Sequence, residues 1–289
     1  MAASTASLEL RNDTNANFRL WGNFISTGLA AGGWTKLDTD ITWASVSAPA
    51  QNTFAGYEVW QSPTEVGLTT FYLKIRYGSH NNATVGPAIE TTLGWGYSGS
   101  GSSLSGVVGT ARSTLAGSAA AVATARTCTI AAGAGYVVIN LGNGSATVCG
   151  HLIVIERTRD SSLNKQDILK HVGQYWTTVL ASWNQVLSTT YEYPVETSNN
   201  AAFTQIVTIG NSIAFGRVGL MWSNSYAGPI TSPSEKWLGC VAGALGLAGQ
   251  TVVIPVYGVD RTFFILTAAS SSIGSFAALS TVNSLLLYE

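Results

Sequence analysis

Residues 69–77 read TTFYLKIRY. In an extended chain Phe71, Leu73, Ile75 and Tyr77 fall on one face, and Tyr72, Lys74 and Arg76 fall on the other. A helix would scatter both sets around its circumference. Thr70–Tyr77 is therefore expected to be a half-buried antiparallel strand with Phe71, Leu73 and Ile75 turned to a core. The period of two recurs on either side. Lys36–Val46 alternates around Leu37, Ile41 and Trp43, and Tyr57–Gln61 repeats the pattern, with Ser62–Leu68 as the loop between strands. Further on, YVVINL (136–141) and ATVCGHLIVIER (146–157) flank Gly142, Asn143 and Gly144, which is a hairpin signature.

Later strands are expected at Phe203–Ile209, Ser212–Trp222, Thr251–Tyr257 and Thr262–Leu266, with Phe276–Tyr288 as a last strand or a short helix. Residues 94–120 are rich in Gly, Ser and Ala, but Leu104, Val107, Val108 and Leu115 argue for thin strands rather than a linker. Residues 158–173 read as a polar connection. The stretch Tyr175–Val195 supports two readings. Ile168, Val172, Trp176, Val179, Trp183 and Val186 keep a helical period, whereas enrichment in Thr, Val, Trp and Tyr favours a hairpin turning at Asn184-Gln185.

One segment breaks the β pattern. Over Asn15–Ala31, Phe18, Trp21, Ile25 and Leu29 share a helical face. Asp13, Thr14 or Asn15 can cap its start, and Gly32-Gly33 can end it. Together these signals predict a mainly β protein, an antiparallel β-sandwich or jelly-roll-like fold with a short N-terminal helix. The organisation expected is an arm over 1–14, a helix plus β domain over 15–160, and a second β region over 161–289 that could pack with it as one unit. Parity places Phe71, Leu73, Ile75, Val138, Leu152, Val154 and Ile206 in the core.

Composition narrows the function. Only 10% of the 289 residues are charged while 46% are hydrophobic, and the net charge is −1. Globular domains average about 25% charged residues. A surface so poor in charge is built from Ser, Thr, Asn, Gly and backbone, which is cheap to desolvate against other subunits. The 14 Lys and Arg are scattered, so no basic stripe for nucleic acid is expected. Val241–Val259 approaches membrane-spanning length, but Gln250, Thr251 and Pro255 interrupt it, and it is read as a turn followed by the buried strand Thr251–Tyr257. The start lacks the basic and apolar regions of a secretory signal. Cys128, Cys149 and Cys240 have no metal-binding spacing with His80, His151 and His171, and are read as small buried hydrophobes.

Chemistry has few candidates. Asp38/Asp40 and Glu156/Asp160 are carboxylate pairs, but neighbours on strands usually serve as ladder residues. No nucleophile elbow, phosphate loop or zinc-helix motif is present. No catalytic residue, metal or cofactor is expected. Trp60, Trp95, Tyr97, Trp222 and Tyr226 sit beside Ser, Asn and Gly, and would be the rings to stack on a glycan were they exposed. The competing reading places them in the core or an interface.

Four stretches carry a resemblance. ANFRLWGNFISTGLAAGGWTKLDTD (16–40), ITWASVSAPAQNTFAGYEVWQ (41–61), TFYLKIRYGS (70–79) and HLIVIERTRD (151–160) resemble uncharacterised virion proteins of tailed bacteriophages. That group pairs an FR-W helix with a strand ending in YE-W, an aromatic strand ending in YGS, and a later ERT-D segment. The likeness covers the first half of the chain. It implies a non-enzymatic structural subunit of a virion, in the tail or baseplate, or alternatively a capsid decoration protein or head fibre. Its implied partners are copies of itself and other virion proteins, with host surface glycan as a further option and no nucleic acid or membrane. Such a protein, made in the bacterial cytoplasm, needs no export signal.

Overall fold

Helix α1 spans Asn15–Ala31, as its period predicts. Thr14 caps it in an extended conformation, its hydroxyl accepting from the Asn17 amide at 3.1 Å. Gly32 closes it, its N–H donating to the Gly28 carbonyl at 3.1 Å. Phe18, Trp21, Ile25 and Leu29 are fully buried. Gly22 and Gly28 weaken a helix in isolation, but here they allow close approach. A Cβ on Gly22 would lie 2.1 Å from the Trp43 indole, and one on Gly28 would lie 2.1 Å from Ile130.

The computed structural model describes residues 2–79, 86–114, 125–141, 151–159, 165–176, 181–187, 191–195, 201–209, 213–220, 237–240, 251–256, 259–267 and 284–288. The described residues are mainly β, with α1 as their one helix. The chain divides into two compact units, the first over Met1–Gly142 and Gly150–Pro194, the second over Asn143–Cys149 and Val195–Glu289.

In the first unit, β2 (Thr35–Thr39), β3 (Phe54–Gln61), β4 (Tyr72–Ser79), β5 (Pro87–Tyr97) and β6 (Leu104–Thr114) form a five-stranded antiparallel meander in chain order. The seven-stranded sheet begins with β1 (Ala2–Leu8). It continues through β7 (Arg126–Gly133), β8 (Tyr136–Leu141), β9 (His151–Arg159), β10 (Lys165–Trp176), β11 (Ala181–Leu187) and β12 (Tyr191–Val195). β6 packs against β9, β10 and β11, and α1 lies against β1, β7 and β2, giving a sandwich with the helix at one side. The second unit holds one six-stranded antiparallel sheet. Its order is β13 (Ala201–Ile209), β14 (Ile213–Leu220), β15 (Trp237–Cys240), β18 (Ser284–Tyr288), β17 (Val259–Thr267) and β16 (Thr251–Val256).

Several expectations are corrected. The expected arm is strand β1, paired residue for residue with β7 from Ala2↔Ala132 to Leu8↔Arg126. The alternation over Lys36–Val46 ends as a strand at Thr39. There the Thr39 hydroxyl accepts from the Ile41 amide and the Asp40 carboxylate accepts from the Tyr57 amide, which diverts the chain from the ladder. Residues 158–173 are no simple connection, because β9 runs to Arg159 and β10 starts at Lys165. The described residues between 175 and 195 are strand rather than helix, but Asn184 and Gln185 do not turn. They pair with Gly173 and Val172 inside the β10–β11 ladder. The β8–β9 hairpin is present, its turn at 142–144 lying outside the described residues.

The core follows parity on β4, where Phe71, Leu73 and Ile75 are fully buried and Tyr72, Lys74 and Arg76 are half-buried. On β8 both parities are buried, with Val137, Val138 and Ile139 at 2% exposure or less, so parity alone does not separate core from surface there. The side chains of Leu152, Val154 and Ile206 lie outside the described residues. Cys128 is fully buried in β7, as a small hydrophobe would be. Leu73→Ala is expected to cost about 2–4 kcal/mol in lost transfer energy and cavity formation. A urea midpoint that stays put would show that Leu73 does not face the core.

Candidate functional site

Three clusters gather the polar and aromatic residues that the sequence made conspicuous. The first centres on Glu58 of β3, whose side chain is wholly buried. Its Oε1 accepts from Ser26 Oγ at 2.9 Å, from Lys36 Nζ at 2.6 Å and from Trp43 Nε1 at 2.9 Å. Its Oε2 accepts from Tyr77 OH at 2.7 Å and from Trp60 Nε1 at 3.2 Å. A carboxylate offers about four lone-pair sites, so these donors saturate it. Burial and the Glu58 charge together push the Tyr77 hydroxyl well above its ordinary range. Around the carboxylate, Phe18, Trp21, Trp43 and Tyr77 form an aromatic cluster, with the Trp43–Tyr77 pair edge-to-face at 4.8 Å. Buried Asn12 ties it to β4. Asn12 Oδ1 accepts from Trp21 Nε1 at 2.9 Å, while its Nδ2 donates to Gly78 O at 2.9 Å and Ser79 Oγ at 2.7 Å.

The second cluster joins the two sheets through Arg157 of β9, whose side chain is 2% exposed. Its Nε donates to Glu65 at 2.8 Å, its Nη1 to Asp167 at 2.8 Å, and its Nη2 to the Thr69 carbonyl. Thr69 donates from its amide and its hydroxyl to Asp167, at 2.9 and 2.7 Å. Lys165 adds a second ion pair to Glu65. The guanidinium lies 5.1 Å from the Phe71 ring centre and 5.9 Å from that of Trp95. Burial raises the Asp167 carboxyl, but the Thr69 hydrogen bonds and the Arg157 charge outweigh it and leave the group below the usual 3.8.

That direction carries a prediction. A carboxyl depressed in the folded state contributes stability above its unfolded value, lost as pH falls through the folded value. Unfolding midpoints measured from about pH 6 down to about pH 3 should fall less steeply in Asp167→Asn than in the native protein. Equal slopes in the two proteins would mean that Asp167 titrates as in an unfolded chain.

The third cluster lies at the far end of β5. The Tyr97 hydroxyl donates to Asp38 of β2 at 2.8 Å, and the Tyr72 and Tyr97 rings are 6.2 Å apart. Burial, then the hydrogen bond to Asp38 and its charge, push Tyr97 up to about 12. The Tyr97 hydroxyl, together with the amides of Thr39 and Gly101, holds Asp38 below its usual range against a desolvation effect.

The predicted glycan-stacking rings are not brought together. Trp60 is 1% exposed and presents no ring face to solvent. Trp95 packs edge-on to Phe71 at 6.3 Å, whereas Tyr97 meets Tyr72. Trp222 and Tyr226 lie outside the described residues. The carboxylate pairs are also separated in role. Asp38 serves Tyr97, Asp40 caps the Tyr57 amide at 2.5 Å, Glu156 is buried, and Asp160 lies outside the described residues.

Among the described residues no group of three or more His, Cys, Asp or Glu is placed to hold a metal ion, and no helix is long and apolar enough to cross a membrane. Comparison with protein-family models, with curated proteins and with solved structures finds no match to this chain. The two nodes that organise the first unit, Glu58 and Arg157, were visible in the sequence only as members of the YE-W and ERT-D motifs.

Proposed function

We propose that the chain is a non-enzymatic structural subunit of a tailed-bacteriophage virion, in the tail or baseplate region, assembled through uncharged polar and aromatic surface. The observation that carries this reading is where the motif residues go. Of the residues that supply the likeness to phage virion proteins, Phe18, Trp21, Glu58, Trp60, Tyr77, Ser79 and Arg157 are buried, while Arg19 and Tyr57 are half-buried. Glu58 has its lone pairs filled by five donors, so it has no capacity left to move a proton or attack a substrate. These residues do the work of holding sheets and helix together. With so few charges in the chain, and Glu58, Glu90, Glu156 and Arg157 buried, the surface is left poor in charge. Such surfaces desolvate at low cost against neighbouring subunits.

Antibodies raised against the chain should decorate purified virions at the tail. Decoration over the head would move the subunit to a capsid decoration or head-fibre role. Absence of the polypeptide from purified particles would end the reading. A second reading, host-glycan binding, is favoured only by the half-buried Tyr72–Tyr97 pair beside Asp38. It requires binding of the purified protein to host surface polysaccharide, and silence across a broad glycan array counts against it.

A further inference from the structure

Among the described residues the first unit has four sheet edges, and three of them are guarded. Edge strand β2 carries Lys36 and Asp38 with a register break between them. Edge strand β6 carries Arg112, Gly106 at φ +56° and a register break opposite Leu93 and Gly94. Edge strand β12 carries Glu192 and Pro194. Charges, prolines and bulges at these places are what stops one sheet from adding to another. β1 has none of them. Its sequence is AASTASL, and it pairs with β7 over all seven residues without a break. Its far side has no strand beside it among the described residues, and Ala3, Thr5 and Ser7 are exposed.

We infer that β1 is an assembly edge whose partner is the β1 strand of a second copy. Antiparallel pairing about a two-fold axis at Thr5 would set Ala2 opposite Leu8, Ala3 opposite Ser7, Ser4 opposite Ala6, and Thr5 opposite its own counterpart. Every pair is small or neutral and the register needs no charge complement, so the edge is complementary to itself. A differently charged partner strand would find no counter-charge here. Thr opposite Thr is a favourable cross-strand pair. The two seven-stranded sheets then become one continuous sheet, held by backbone hydrogen bonds. This inference names the contact for the self-assembly in the proposed function and rests on it.

Substitutions at the exposed Thr5 test it in the full-length chain. The native protein should have at least twice the 30.2 kDa mass of one chain by light scattering. Thr5→Lys and Thr5→Glu should each fall to half the native mass with an unchanged sheet signal in circular dichroism. Like charges would meet on the axis in each, so an equal mixture of the two should regain the native mass. Thr5→Cys, which hardly alters the strand, placed in a chain with Cys149 and Cys240 replaced by Ser, should give a doubled band with a short bis-maleimide where that chain with Thr5 intact gives none. That variant decides the matter should the charged ones fail to fold. A native assembly left intact by both charged variants, with no Thr5→Cys cross-link, overturns the β1 contact and leaves self-assembly standing. A monomeric native protein overturns both.

Discussion

Glu58→Ala is expected to destabilise the first unit by about 3–5 kcal/mol, the range found when one partner is removed from a buried ionic network. The loss comes from the donors left behind. Trp43 Nε1, Trp60 Nε1, Tyr77 OH and Ser26 Oγ all converge on this carboxylate. A buried donor stripped of its acceptor costs about 1–3 kcal/mol, and neighbouring donors can partly re-pair, so the sum stays below simple addition. Lys36 contributes least, because its side chain is 31% exposed and can turn to water. Lys36→Met removes the cation but leaves the Glu58 carboxylate its four neutral donors, which hydrogen-bond its charged form, and should cost less than Glu58→Ala, which strands all four. Denaturant unfolding of both variants checks the order. Equal losses would place the weight on the ion pair and not on the aromatic donors, against the geometry.

Arg157→Met should cost a comparable amount, about 3–5 kcal/mol, by leaving Glu65 and Asp167 without their shared cation between the sheets. Arg157→Lys should recover little of it. The guanidinium reaches Glu65, Asp167 and the Thr69 carbonyl at once from a planar fork, and an ammonium on a flexible stem cannot span the three. The two losses should also add, since the nodes share no partner. A stable Arg157→Lys protein would mean that charge alone, and not the fork, joins the sheets.

The elements that the sequence predicted well are those decided locally. α1 was set by a 3.6-residue apolar stripe, a Thr cap and a terminal Gly, and its bounds are Asn15–Ala31 in both readings. β4 was set by strict alternation, its residues buried and half-buried in turn from Tyr72 to Tyr77. What the sequence did not disclose depends on distant partners. β1 reads as an arm because AASTASL has little to bury, and it becomes a strand only because β7 supplies a ladder. β10 reads as a polar connection because Lys165, Asp167, Lys170 and His171 sit among its apolar residues. Lys165 and Asp167 are there to meet Glu65 and Arg157 from elsewhere in the chain. The alternation past Thr39 is a coincidence of spacing, overridden when side chains of Thr39 and Asp40 take the backbone's hydrogen bonds.

The site shows the same division. Nothing local marks Glu58 as a hub, since its donors come from α1, β2, β3, β4 and the segment after Thr39. Aromatic residues beside polar loops suggested sugar-stacking rings. Trp60 instead turns inward to Glu58, and Trp95 turns toward Phe71 and Arg157, because the pleat and not the neighbouring sequence decides which way each ring points.

Cryo-electron microscopy of the intact virion tests the proposed role most directly. Repeated copies of a subunit with a five-stranded meander and a seven-stranded sheet are expected in the tail or baseplate, neighbouring copies touching through uncharged strands. Purified particles without this polypeptide would contradict a virion subunit altogether.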